Sequence, residues 1–301
     1  RFWMYRIWDG HRYYTIPQSV YYAKFNKPGI KIAMRWPDDS GATNLDELRE
    51  QLKGWMIRRK KEDVIDLPEK IISIKEFEID KDWTKKYKNA FNDYIQFRKD
   101  NPIDGWNEEN VLMSRQLVEI QKLKQVCSLA KVDTIVEDIK EAVDQGEKVI
   151  VFSQYTKTID AITDKMQELR IGVTALTGDC DMVYRQASVD SFQNDPRVKV
   201  FVANIKAGGV GITLTAGSIV MFADMDWSPE IHNQAMDRAH RIGQTGTVNV
   251  YYYVAKGTIE EDIIQLLEDK KNIAEQILSG NKNRLKKESI FREFLNKKLK
   301  K

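Results

Sequence analysis

The chain has 301 residues, a formal net charge of +3, and hydrophobic and charged fractions of 42% and 31%. That length predicts about two domains, and the composition excludes a wholly disordered or fibrous chain. The longest apolar runs, VKVFVA and SIVMFA, are too short to cross a bilayer.

The N-terminal RFWMYRIWDG lacks the basic segment, apolar run and small-residue cleavage site of a secretory signal. An intracellular setting is expected, nuclear in a eukaryote and cytoplasmic in a prokaryote or virus. The first residue is not Met, so a fragment or processed chain is expected. Cys127 and Cys180 form no CxxC pair and read as free thiols in a reducing compartment. His11, His232 and His240 are too dispersed to suggest a metal centre.

Residues 1–30 are rich in aromatics without clear periodicity and receive no assignment. Over 31–70, the polar turn PDDSGATN leads into the helical stretch LDELREQLKGWMIRRKKEDV, with Thr43 or Asn44 as its cap. IISIKEFEI (71–79) alternates like a strand, and 81–99 and 108–128 read as two helices joined through Pro102 and Gly105. From Lys131 onward, strands VIVFS (149–153), VTAL (173–176), VKVFVA (198–203), SIVMFA (218–223) and VNVYYYVA (248–255) alternate with helices near 157–169, 182–193 and 229–240. A further helix, 259–278, follows. Short Val/Ile-rich strands separated by helices predict a parallel sheet covered on both faces. The tail 281–301 carries +7, leaving −4 on the other 280 residues. Its apolar residues recur at helical spacing. It reads as a basic helix that meets phosphates or a sister domain, or one that docks on the body.

Ligands of parallel sheets bind beyond the carboxyl ends of the strands. There the sequence places Ser153-Gln154-Tyr155, Thr177-Gly178-Asp179, the glycine-rich NIKAGGVGITL (204–214) and DMDWSP (224–229). Glycines let backbone amides approach a phosphate, and they equally serve a tight turn. Gln234, Arg238 and Arg241 follow at spacings of four and three, which predicts one helix face. Two guanidiniums beside a glycine loop can clamp a polyphosphate; alternatively they pair with Glu230 or Asp237. Trp227 can stack on nucleic acid or anchor its loop by burial.

QAMDRAHRIGQ (234–244), NIKAGGVGITL and DMDWSP together resemble the last motifs of the SWI/SNF-related family of superfamily-two helicase-like ATPases. MIRRKKEDVIDLPEK (56–70) resembles the segment joining that family's two lobes. SGATNLDELREQL and VAKGTIEEDI lean towards its annealing-helicase and fork-remodelling branch. The resemblance covers roughly residues 35–280. It implies an α/β fold: a RecA-like parallel sheet with helices on both faces, after a mainly helical protrusion (71–130) and before the basic helical tail. The lobe itself is expected over 131–280, with 31–70 as the inter-lobe linker or the end of the first-lobe region.

The function implied is that of a DNA-dependent ATPase translocating on double-stranded or branched DNA, with ATP and Mg2+ held mainly by an N-terminal RecA-like lobe. By motif position, Arg238 and Arg241 are the implied arginine fingers. Gln234 assists at the nucleotide, and Gly209 and Gly211 shape the loop between the ATP and DNA sites. Ser153, Gln154, Tyr155, Thr177, Gly178, Arg185, Lys206 and Trp227 match DNA-facing positions. Neither a GxxxxGK[ST] loop nor a strand-end DExH motif occurs in these 301 residues. Fingers without a phosphate cradle and metal site do not assemble the transition state, so the chain alone is expected to hydrolyse ATP negligibly. The competing expectations are an ATPase-inactive module that only binds nucleic acid, and a protein scaffold working through the 81–128 helices.

Overall fold

The computed structural model describes residues 2–8, 13–17, 32–38, 65–100, 106–208 and 211–279. The helical reading over 45–64, Gly209 and the basic tail lie outside these residues. The chain divides into two compact units, residues 1–57 with 269–301, and residues 58–268.

The first unit contains an antiparallel sheet of β1 (Phe2–Trp8), β2 (Tyr13–Pro17) and β3 (Ile32–Asp38), with β1 in the middle. Aromatic and β-branched residues favour strands. Their crowding at consecutive positions, as in FWMYRIW, hides the alternation by which a strand is recognised, so this stretch could not be assigned from pattern.

The second unit is a six-stranded, wholly parallel sheet in the order β4-β9-β8-β5-β7-β6. Its strands are β4 (Lys70–Phe77), β5 (Val149–Ser153), β6 (Gly172–Leu176), β7 (Val198–Asn204), β8 (Ile219–Phe222) and β9 (Val248–Ala255). Between β4 and β5 run α1 (Lys81–Asp100), α2 (Trp106–Ala130) and α3 (Val132–Asp144). The later crossovers carry α4 (Thr156–Glu168), α5 (Met182–Asn194), the single turn α6 (Ile205–Gly208) and α7 (Pro229–Ala239). The helix α8 (Ile259–Ser279) follows β9. This is the RecA-like α/β architecture that the sequence predicts.

Alternation along the strands builds two cores. Val149 and Val151 point to one face, where Ile135 and Ile139 of α3 and Ile159 and Ile162 of α4 cover them. Ile150 and Phe152 point to the other, against Phe192 of α5 and Met236 of α7. The aromatic residues of α1 also pack inward: Tyr87 and Tyr94 are buried, and the Tyr87 hydroxyl accepts the Ile259 N–H at 2.8 Å.

Two expectations change. The strand at 70–77 was grouped with the helices that follow it, yet it pairs residue for residue with β9 and forms the outer strand of the main sheet. A parallel partner 178 residues away leaves no local trace. The helix expected to carry Gln234, Arg238 and Arg241 together ends at Ala239. Gly243, at φ +101°, lies just beyond it and does not continue a right-handed helix. Arg241 therefore sits in the turn after the helix.

Candidate nucleotide and nucleic-acid edge

Both arginines nevertheless converge on one segment. Arg238 Nη1 donates to the Ile212 carbonyl and Arg241 Nη1 to the Thr213 hydroxyl, each at 3.4 Å. The backbone reinforces the approach, since the Leu214 N–H donates to the Arg238 carbonyl at 2.8 Å. Arg238 is half-buried and Arg241 exposed. Burial, with the like charge of Arg241 next, lowers the Arg238 pKa, and Asp237 partly counters this. Two cations held close enough to feel each other are suited to an anion that touches both. Gly211, at φ +72°, opens the turn before this segment in a backbone conformation that favours glycine. Gln234 is exposed one helical turn before Arg238.

Sequence reasoning quoted Gln244 and His240 within their motif without assigning them work. Gln244 is a buried brace: its amide nitrogen donates to the Gly217 and Ala239 carbonyls at 3.0 and 3.3 Å. Its amide oxygen accepts the Thr245 and Gly246 N–H groups at 3.0 and 3.1 Å. The Gln244 side chain thus ties the turn bearing Arg241 to the Gly217 loop and to the end of α7. His240 Nε2 lies 2.7 Å from the Pro68 carbonyl, joining that turn to the approach to β4.

The second group of predicted residues lies along the same edge of the sheet. Lys206 is exposed and reaches Asp226 at 3.6 Å. Asn204 connects neighbouring loops, donating to the Gln154 carbonyl at 3.0 Å and accepting the Lys206 N–H at 3.0 Å. Arg185 donates to the Ala207 carbonyl at 2.6 Å, so its guanidinium is part of the loop that carries Lys206. Gly178 is exposed at the end of β6, and the Thr177 N–H meets Cys180 Sγ at 3.4 Å. Trp227 is half-buried, with the Lys124 ammonium 4.6 Å from its ring centroid.

Ser153 and Tyr155 lie beneath this surface rather than on it. The Ser153 hydroxyl is fully buried and donates to Asp224, whose other oxygen accepts the Gln154 N–H at 2.9 Å. The Tyr155 hydroxyl donates to Gln121 Oε1 at 2.6 Å, and burial pushes its pKa up. Both side chains shape the loop from within. The burial of Ser153 follows from Asp224, a carboxylate at a strand end that needs donors around it.

Among the described residues no group of three or more His, Cys, Asp or Glu side chains could hold a metal ion. No helix among them is long and apolar enough to cross a membrane.

Residues 130–243 match the family model of the helicase conserved C-terminal domain. The DNA annealing helicase and endonuclease ZRANB3 of Bos taurus is 31% identical over 258 residues, 85% of this chain and 23% of that protein. The Sulfolobus solfataricus SWI2/SNF2 ATPase C-terminal domain is 26% identical with a TM-score of 0.54, covering 67% of this chain and 87% of that one. The core of the same archaeal ATPase in complex with dsDNA is 28% identical with a TM-score of 0.57, covering 78% of this chain and 52% of that one. The chain spans about a quarter of the length of the curated relatives with which it aligns over most of its own length.

Proposed function

The chain belongs to the SWI/SNF-related, superfamily-two helicase-like ATPases and carries their C-terminal RecA-like lobe, and from that premise we propose that it is the finger-bearing half of a DNA-stimulated ATP hydrolase that moves along duplex DNA. The observation carrying the proposal is the convergence of Arg238 and Arg241 on the Ile212–Thr213 segment. Preorganised cations at the point where charge develops stabilise phosphoryl transfer. Gln234 and the loop at Gly211 flank them. ATP supplies the transferable phosphoryl group, and an N-terminal lobe, in the same longer chain or in a second one, holds it with Mg2+. This chain's residues orient the phosphate end and balance its charge.

The DNA half of the proposal rests on Lys206, Arg185, Gln154, Thr177, Gly178 and Trp227 sharing the sheet edge next to that site. The dsDNA complex of the archaeal relative supports duplex DNA as the partner. The 31% identity to a DNA annealing helicase supports DNA as what it acts on, and the proposal includes branched as well as double-stranded DNA. A role in remodelling DNA or protein–DNA complexes in an intracellular compartment follows.

This reading is tested by fluorescence anisotropy on a duplex oligonucleotide. Affinity should fall as salt rises from about 50 to about 200 mM, with a log–log slope of about −0.9 per phosphate neutralised. Lys206→Ala should make the slope shallower by about 0.9. A slope unchanged in that variant would remove Lys206 from the DNA contact, and salt-independent binding would remove the phosphate track altogether.

A further inference from the structure

The loop from β8 to α7, Asp224–Ser228, is secured from two helices. On α2, Gln121, Lys124 and Ser128 follow at spacings of three and four and share one face, and Lys131, at the junction with α3, continues the row three residues on. A helix lying on a sheet ordinarily turns an apolar stripe inward. Here α2 buries Ile120, Leu123 and Cys127, and beside that apolar stripe runs this polar one, each member of which reaches a different point on the sheet or its loops. Gln121 accepts from Tyr155, Lys124 Nζ donates to the Met225 carbonyl at 2.7 Å, and Ser128 donates to Asp224 Oδ2 at 2.9 Å. Lys131 Nζ donates to the Tyr253 carbonyl at 2.8 Å. Lys124, Ser128 and Lys131 are fully buried.

On α7, the buried His232 accepts the Asp226 N–H through Nε2 at 2.9 Å, with Nδ1 3.1 Å from the Tyr252 hydroxyl. Its ring stacks on Tyr252 and meets Phe222 at 4.9 Å. Asp226, so held, accepts the Ser228 N–H at 3.1 Å and faces Lys206 at 3.6 Å.

A neutral donor would satisfy the Met225 carbonyl. Burying an ammonium is costly, so its charge needs a use. Two buried carboxylates, Asp224 and Asp226, stand under an edge read above as meeting phosphate. Uncompensated, they would repel it. The Lys124 ammonium lies within their field and also beneath the Trp227 ring.

We propose that Lys124 is a positioning residue of the DNA-facing edge. Its buried ammonium fixes the Asp224–Ser228 loop against α2, seats Trp227 and offsets Asp224 and Asp226, while His232 ties the same loop to the helix bearing Gln234 and Arg238. The functional half rests on the DNA reading above; the clamp itself does not.

The clamp makes the edge sensitive to pH. Burial lowers the Lys124 pKa to about 8; Asp224 and Asp226 of the loop and Glu260 of α8 oppose that shift, and Lys131 before α3 adds to it. Burial lowers the His232 pKa to about 4 and raises those of Tyr155, Tyr87 of α1 and Cys127 of α2. None of these four changes charge between pH 7 and pH 9, whereas Lys124 does.

The test uses the whole chain labelled with 5-fluorotryptophan, with the Trp227 signal in the 19F spectrum assigned through Trp227→Phe. That signal should titrate with a midpoint near pH 8. The titration should vanish in Lys124→Met, in the milder Lys124→Gln, and in Lys124→Arg, whose charge is permanent. Duplex affinity should fall about tenfold from pH 7 to pH 9 in the native chain. It should stay high across that range in Lys124→Arg and low in Lys124→Met. A Trp227 signal that does not titrate, or that titrates equally in Lys124→Met and Lys124→Gln, overturns the clamp. A titrating signal with duplex affinity indifferent to pH and to all three variants overturns the positioning role. Absence of duplex binding at every pH overturns the DNA reading, while the 19F titration still upholds the clamp.

Discussion

Replacing Arg241 with Ala in the assembled two-lobe enzyme should lower DNA-stimulated ATP turnover by about 10³–10⁵-fold, the range of an arginine finger. Arg241 is exposed, and its guanidinium makes a long contact to Thr213, so its removal disturbs little of the fold. The loss should therefore fall on kcat, with KM for ATP nearly unchanged, because the interaction strengthens as charge develops. Arg241→Lys should recover little, since an ammonium lacks the planar fork that binds two oxygens together. Arg238→Ala should combine a similar loss with local loosening, because Arg238 is half-buried and bonded to Ile212. Steady-state kinetics with saturating duplex DNA checks both. Turnover within a few-fold of the native value in Arg241→Ala would remove it from the transition state.

The second large effect concerns stability. Lys131 and Glu260 form a fully buried ion pair at 2.5 Å, linking the junction of α2 and α3 to the start of α8. Glu260 also accepts the Ala255 N–H at 3.0 Å, and Lys131 also donates to Tyr253. Burial raises the Glu260 pKa, and Lys131 beside it pulls the other way. Lys131→Met strands a buried carboxylate and should cost about 3–5 kcal/mol. Adding Glu260→Gln removes the stranded charge but keeps an acceptor for Ala255. The double variant should regain more than half of the loss, since neutral substitutes for buried pairs are often tolerated. Urea denaturation followed by circular dichroism measures both. A single variant within about 1 kcal/mol of native would mean that water reaches the pair.

Much of the lobe was legible because its strands are short, apolar and separated by amphipathic helices. VIVFS and VNVYYYVA coincide with β5 and β9 to the residue. The helix α3 was available to the same reasoning, since Val132, Ile135, Val136 and Ile139 repeat at helical spacing and are all buried, yet it went unassigned. The sheet membership of β4 was not available, because its partner is distant and its own alternation fits an edge strand anywhere. At the proposed site, the motifs pointed to the arginines and Lys206, which the structure places at the same sheet edge. Lys124, Asp224 and His232 were missed for a physical reason. A polar residue on a helix reads as solvated unless its partner is known, and Lys124 meets Met225 across 101 residues of chain. Ser153 and Tyr155 show the converse, motif residues that support the surface from below.

The central claim is that this lobe completes an ATPase by contributing the fingers. The most direct measurement is ATP hydrolysis by the chain alone, and after addition of an N-terminal lobe of the same family, each with and without duplex DNA. The account predicts negligible turnover by the chain alone and DNA-dependent turnover once both lobes are present. Silence in every mixture, with duplex binding intact, would contradict it and leave a lobe that only holds nucleic acid.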